Sequence, residues 1–256
     1  MKSVLEGKKN ETVRSIHKSG MGHVLLSLTM RTGLFILFGA LFVGVLAVAG
    51  NPQPLKEAEK WWPFQAIFAN IVTFFILRYL IHKEGGTYRR MFDLHKGRLS
   101  KDGLQFLWLM VVGFAMAGLP LSLFSYLFLG SLLPPDLMFQ PLPVWAAVIA
   151  LIVFPISNGL VETPNYIGYA LPRLRTATGK LWIAITLTGL ALAFQHVALP
   201  LVFDIPYMLW RFVGFIPLAM TLGYIFSKTK RLFPIALAHF VMDLQMALQL
   251  FIYSMK

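Results

Sequence analysis

The chain of 256 residues is 57% hydrophobic and only 13% charged, whereas soluble domains carry about 25% charged residues, so its composition excludes an ordinary soluble globular protein. Its net charge of +12 does not indicate a nucleic-acid partner, because most of the basic residues lie in gaps between long apolar stretches, as in the cytoplasmic loops of membrane proteins. The absence of cysteine excludes disulfides, a thiol nucleophile and thiolate metal ligands.

The first half of the sequence begins with a basic arm and two apolar spans. Residues 1–24 are polar and basic, so we expect a cytoplasmic arm that can lie on anionic lipid. The first span is predicted at residues 25–50, with Arg31 close enough to its start for the guanidinium to extend to the membrane surface. The second span is predicted at residues 62–81. The segment 82–103 is rich in Lys and Arg, which predicts a cytoplasmic loop.

Five more spans follow this loop. The third span is predicted at residues 104–130, the fifth at 181–197 and the seventh at 233–253. The fourth begins at residue 144, and the sixth ends at residue 226. Within the fourth span, Pro155 and Asn158 are expected to kink or interrupt the helix. A break at Asn158 would divide that span into two helices.

The gaps between the spans support a count of seven. Those that this count places in the cytoplasm are rich in Lys and Arg, and those that it places outside are poorer, which indicates a cytoplasmic N-terminus. The predicted fold class is therefore an all-α, polytopic transmembrane helical bundle of seven spans, or eight helices with the break. We divide it into the arm (1–24), the N-terminal membrane helices (25–143) and a C-terminal core (144–256).

Ionisable side chains within membrane spans are costly to bury and indicate functional sites. Of the 11 acidic residues, only Glu162 and Asp243 fall within the predicted spans, and of the 6 histidines only His196 and His239 do. Because all four belong to the C-terminal core, we expect them to share one site. An alternative interpretation places Glu162 at the membrane surface, near Arg173, as a boundary residue.

The spacing of these residues predicts two pairs. His239 and Asp243 are four apart, so they share one face of a helix. Glu162 and His196 are equidistant from Gly179, in the turn between spans four and five, so they are expected to face each other at one depth.

Three kinds of chemistry fit this set. A carboxylate that faces a histidine, with a His–Asp pair nearby, can activate a water molecule and stabilise an oxyanion. The same residues can hold a divalent metal such as zinc, with Glu162, His196 and His239 as ligands. They can also relay protons in a transporter.

Three segments resemble motifs of the CAAX-protease and bacteriocin-processing (CPBP/Abi) family of intramembrane proteases. ETPNYIGYALPRL resembles the first motif, which often reads Glu-Glu-Pro-Gly-Trp-Arg-Gly before Leu-Pro-Arg-Leu, with Glu162 on its first Glu. LAFQH resembles Phe-x-x-x-His, with Leu192 in place of Phe and His196 on the His. HFVMD resembles His-x-x-x-Asn/Asp and contributes His239 and Asp243.

The resemblance implies an intramembrane endopeptidase, similar to type II CAAX endopeptidases, that hydrolyses a peptide bond of a membrane-associated substrate. It implies that Glu162 and His196 activate the water and that His239 and Asp243 stabilise the oxyanion. The expected partners are the lipid bilayer and a membrane-associated peptide or protein. No metal cofactor is favoured, because no His-Glu-x-x-His pair clamps an ion on one helix, and zinc is the alternative.

Two positions depart from the first motif. Thr163 replaces the second Glu and Ile167 replaces the Arg, so a charge and its partner are lost together. A non-catalytic Abi-family immunity or scaffold protein is therefore one alternative function. A proton-coupled transporter is another, although the inverted repeats common in transporters are not evident in the sequence.

Overall fold

The computed structural model describes residues 20–92, 99–133 and 135–256. Within these ranges the chain is helical and has no strand, which confirms the predicted all-α class. Most of the predicted basic arm and the centre of the predicted loop 82–103 lie outside the described residues. Seven helical segments are long and apolar enough to cross a membrane, so the chain is an integral, multi-pass membrane protein.

The described residues form nine α-helices in chain order. They are α1 (Met21–Val48), α2 (Pro54–Glu59), α3 (Trp62–Lys83), α4 (Leu99–Leu129), α5 (Val144–Thr163), α6 (Leu171–Thr178), α7 (Leu181–Phe194), α8 (Ile205–Thr229) and α9 (Phe233–Ser254). A π-helical segment, Pro164–Ala170, joins α5 to α6, and a 3-10 turn, Gln195–Ala198, extends α7.

The fourth span is one continuous arm, so the predicted interruption at Asn158 is wrong. Helix α5 continues through Pro155 and Asn158, and the helical geometry changes only at Pro164, where the π-helical turns begin. Proline has no amide hydrogen and its ring crowds the carbonyl four residues earlier, so a wider turn accommodates it. The arm ends at Gly179, whose positive φ of 66° suits glycine.

A close approach between α5 and α9 brings the predicted site residues together. The two helices form the most extensive packing of the bundle. At Gly159, a Cβ atom would lie 2.9 Å from the Cβ of Phe240 and 3.0 Å from the carbonyl oxygen of Ala236. Because small residues let helix backbones approach within membranes, Gly159 places Glu162 on α5 beside the His239 turn of α9.

Two buried ion pairs join the ends of helices that the charge pattern places in the cytoplasm. Glu84 accepts a hydrogen bond from Tyr169 at 2.6 Å and pairs with Arg173, whose guanidinium also lies over the Tyr169 ring. Asp102 pairs with Arg231, so the start of α4 is held to the turn between α8 and α9. These contacts agree with the antiparallel order of the spans.

We propose a cytoplasmic N-terminus, which single cysteines at the two ends of α4 can test. Ser100 and Ser131 are exposed, and the chain has no native cysteine. We expect Ser131→Cys to react with an impermeant maleimide added outside intact cells, and Ser100→Cys to react only after permeabilisation. Labelling of both from one side would contradict the seven spans, and the reverse pattern would contradict the orientation alone.

Candidate active site

One guanidinium group joins the polar residues in the middle of the bundle. Arg31 of α1 is 0% exposed, and its Nη2 donates to Glu162 Oε2 at 2.9 Å and to Asn158 Oδ1 at 3.0 Å. Its Nε donates to Gln195 Oε1 at 2.7 Å, and its Nη1 donates to Asn70 Oδ1. Arg31 therefore holds side chains from α3, α5 and the end of α7 in one network.

The predicted surface position of Arg31 is wrong. Helix α1 already begins at Met21, so Arg31 lies about ten residues inside it, or about 15 Å along the axis, roughly half the hydrocarbon thickness. The boundary interpretation of Glu162 is wrong for a related reason. Glu162 is only 3% exposed and pairs with Arg31, whereas Arg173 pairs with Glu84.

The His–Asp pair of α9 lies beside Glu162, as its spacing predicts. His239 Nε2 is 3.3 Å from Asp243 Oδ2 and 3.7 Å from Glu162 Oε1. Its Nδ1 is 2.8 Å from the Thr163 hydroxyl, and with Nε2–H directed at Asp243 the neutral ring accepts that hydrogen bond. Asp243 also accepts a hydrogen bond from Asn158 Nδ2 at 2.8 Å, which links it to Arg31.

His196 lies in the same region but does not meet Glu162 directly. No nitrogen of its ring comes within 4.0 Å of a carboxylate oxygen among the described residues, so the two side chains lie near each other without a direct ion pair. Its Nδ1 donates to the carbonyl oxygen of Leu192 at 3.0 Å, so Nε2 of the neutral ring carries the lone pair. The ring stacks on Phe215 with centroids 3.7 Å apart.

The hairpin geometry brings the preceding residue, Gln195, into the network instead. Its side-chain oxygen accepts hydrogen bonds from Arg31 Nε at 2.7 Å and from the Tyr166 hydroxyl at 3.3 Å. The 3-10 turn that begins at Gln195 changes the angular positions of the last residues of the span, so depth alone does not determine which of them faces Glu162.

A second buried arginine holds this 3-10 turn. Arg211 of α8 is 5% exposed, and its guanidinium donates to the carbonyl oxygens of His196 at 3.4 Å and Leu199 at 2.9 Å. It also lies 5.0 Å from the centre of the Phe215 ring, on which His196 stacks. Carbonyls at the end of a helix need donors, and Arg211 supplies them where the chain turns.

Comparison with known families finds a match, and it covers the segment that carries the predicted site residues. Residues 143–245 match the model of a family described as Rce1-like, type II CAAX prenyl endopeptidase Rce1-like. This C-terminal segment is therefore similar to that family. The resemblance to the CAAX-protease and bacteriocin-processing family is thereby confirmed, and the match supports peptidase activity in a membrane protein. No curated protein and no solved structure matches the chain.

The two departures from the first motif of this CAAX-protease family have different surroundings. Thr163, at the position of the second Glu, contacts His239 and so belongs to the site. Ile167, at the position of the Arg, is 0% exposed and packs in an apolar core with Tyr166 and Leu171. An arginine at position 167 would be buried in that core, and with Thr163 in place of the second Glu it would lack the partner that the motif provides. The apolar isoleucine avoids this buried, unpaired charge.

Sequence reasoning missed four members of the network. They are Arg31, Asn70, Asn158 and Gln195. A signal for them exists, because the rule that polar groups within spans indicate function applies to arginine and amides as well as to acids and histidines. Arg31 escaped it because its distance from the end of α1 was underestimated.

The side chains of the candidate site do not fit a bound metal ion. The Arg31 guanidinium occupies Oε2 of Glu162, and a cation at that carboxylate would have to compete with it. Within the described ranges, no group of three or more His, Asp and Glu side chains is arranged to hold a metal. A zinc hydrolase typically needs three such ligands and a position for water.

We therefore expect the purified protein to carry well under one tightly bound divalent ion per chain, and its peptidase activity to survive prolonged chelation. Elemental analysis and the cleavage rate before and after chelator treatment measure these two quantities. Stoichiometric zinc, with activity lost on chelation and restored by zinc, would contradict the expectation and favour Glu162, His196 and His239 as ligands.

Proposed function

We propose that this protein is an intramembrane endopeptidase that hydrolyses a peptide bond of a membrane-associated substrate with a water molecule activated by Glu162. The observation that carries the proposal is the two-sided environment of this carboxylate. Its Oε2 is held by Arg31 at 2.9 Å, whereas its Oε1 faces His239 at 3.7 Å, beyond hydrogen-bonding distance. The ion pair fixes the orientation of the carboxylate and leaves Oε1 to accept a proton.

The reaction needs no acyl-enzyme. A water molecule beside Glu162 adds through its oxygen to the scissile carbonyl carbon, and Oε1 accepts the proton that the water loses. The carbonyl double bond opens, and its electron pair moves to the oxygen, which becomes an oxyanion. When the carbon–nitrogen bond breaks, that pair re-forms the carbonyl and the proton on Glu162 passes to the departing amine.

The histidines have separate proposed roles. His196 presents Nε2 as a lone-pair nitrogen because Nδ1 donates to Leu192, so it can accept a hydrogen bond from the water and assist its activation. His239 is oriented by Thr163 and Asp243 on its two nitrogens, and in its protonated form it can stabilise the oxyanion. Thr163 thus retains a positioning function at a position where the family often has a Glu.

The description of the matching family favours a substrate class. It names a CAAX prenyl endopeptidase, so we propose prenylated C-terminal peptides as the first substrates to assay. Matched peptides without the prenyl group, and apolar peptides long enough to span a membrane, test whether the lipid or the span provides recognition.

Glu162→Gln keeps the shape of the side chain and removes the base, so we expect cleavage to be abolished. Because Arg31 loses its counter-charge, the thermal midpoint in detergent should also fall, and cleavage is therefore assayed well below that midpoint, where the variant remains folded. His196→Ala should lower the cleavage rate in the same assay. The double variant should be no slower than the worse single variant, because residues that act as a unit are not additive.

Arg78→Met provides a control, since this arginine is exposed on α3 and outside the network. It should cleave at the wild-type rate. Near-full turnover by Glu162→Gln would contradict the mechanism. A folded wild type that cleaves none of the three peptide classes would contradict the proposed activity and favour an immunity or scaffold function.

A further inference from the structure

The oxyanion site implied by the family motifs has few free donors in this chain. Asp243 is a carboxylate, which accepts hydrogen bonds when ionised and cannot donate one to a negative oxygen. Both ring nitrogens of His239 already face protein groups, Thr163 on one side and the two carboxylates on the other. Hydrolysis requires donors aimed at the oxygen where negative charge develops, so a further donor is needed.

The Gln195 side chain supplies an amide group with a fixed orientation. Arg31 Nε can only donate, so the end of the amide that lies 2.7 Å from it must be the oxygen. The Tyr166 hydroxyl donates to the same oxygen at 3.3 Å. The NH2 group must therefore point away from Arg31.

That NH2 group is buried without a close acceptor. Gln195 is 0% exposed, and its Nε2 has no hydrogen-bond acceptor within 3.5 Å in the described part of the chain. Its nearest acceptor is the Glu162 carboxylate, which the NH2 group faces at a longer distance. The amide lies beside the Glu162 carboxylate, next to where the proposed water is activated. Buried donors in native proteins are nearly always paired, so an unpaired donor at this place points to a ligand.

Another buried glutamine shows how the bundle treats a structural amide. Gln65 of α3 is 2% exposed, and its Nε2 donates to the carbonyl oxygens of Phe35 at 2.6 Å and Ala198 at 2.8 Å. Its amide bridges α1 and the end of α7. Gln195 differs in that its oxygen is fully engaged and its nitrogen is not.

We propose that Gln195 is a catalytic residue whose Nε2 donates a hydrogen bond to the scissile carbonyl oxygen and stabilises the oxyanion. Arg31 contributes by polarising the amide, since a hydrogen bond from a cation to Oε1 strengthens the NH2 group as a donor. One arginine thereby orients the base through Glu162 and the oxyanion donor through Gln195. The inference rests on the proposed endopeptidase function.

Gln195→Glu retains an oxygen for Arg31 and Tyr166 and replaces the NH2 donor with a second oxygen, but it also adds a carboxylate beside Glu162. Gln195→Met, which removes the donor without adding a charge, is therefore measured in parallel, and both variants should behave alike. We expect kcat to fall by about 10²–10³-fold, the typical loss for one oxyanion donor, with KM within a few-fold of wild type. Gln65→Glu is the matched control. It should lower the thermal midpoint, because two interhelical hydrogen bonds are lost, and leave kcat close to wild type.

A thioamide substrate distinguishes a donor to the carbonyl from a purely structural role. Sulfur at the scissile carbonyl is a weaker acceptor, so the wild type should cleave the thioamide more slowly than the oxo-peptide. In Gln195→Glu this difference should shrink, because the donor that senses the oxygen is absent. A full thio effect in the variant, whatever its stability, would overturn the inference.

The outcomes separate this inference from the function on which it rests. If the wild type cleaves and Glu162→Gln is inactive, but Gln195→Glu retains wild-type kcat, only the role of Gln195 is overturned. If the folded wild type cleaves no substrate, the endopeptidase function is overturned and the role of Gln195 with it.

Discussion

A buried positive charge is the constraint on which the centre of this bundle depends. Arg31 is fully enclosed, so its N–H donors must find acceptors within the protein, and four hydrogen bonds to Asn70, Asn158, Glu162 and Gln195 supply them. In a medium with few competing dipoles, the guanidinium and the Glu162 carboxylate stabilise each other strongly. The ion pair thus stabilises an ionised Glu162 within the membrane span. It also determines which carboxylate oxygen, Oε1, is left to act as the base.

The helix geometry around the pair positions its neighbours. Gly159 permits close contact between α5 and α9, so that His239 and Asp243 lie beside Glu162. The π-helical turns after Thr163 shift the rest of the arm, so that Tyr166 contacts Gln195 and Tyr169 contacts Glu84. Arg211 holds the 3-10 turn that presents Gln195 and His196. Each of these features is local. Together they bring side chains from α1, α3, α9 and the end of α7 to the Arg31–Glu162 pair.

Much of this architecture could be predicted from hydropathy and loop charge. Seven spans follow from the length of the apolar stretches, and the neighbourhood of His239 and Asp243 follows from the i, i+4 rule. The partner of Glu162 could not be read in the same way, because Arg31 is more than a hundred residues away and its depth depends on where α1 begins. The sequence also did not predict that Gln195, and not His196, joins the Arg31 network. This placement arises from a 3-10 turn, which a spacing of 3.6 residues per turn does not anticipate.

The most direct test of this account is a double-mutant cycle on the free energy of unfolding in detergent, with Arg31→Met, Glu162→Gln and both together. Removing only the arginine leaves a buried, unpaired carboxylate, so we expect a loss of about 3–5 kcal/mol. The double variant should recover part of that loss, since no unpaired charge remains. Additive effects of the two substitutions, or an Arg31→Met variant as stable as wild type, would contradict the central place of the ion pair.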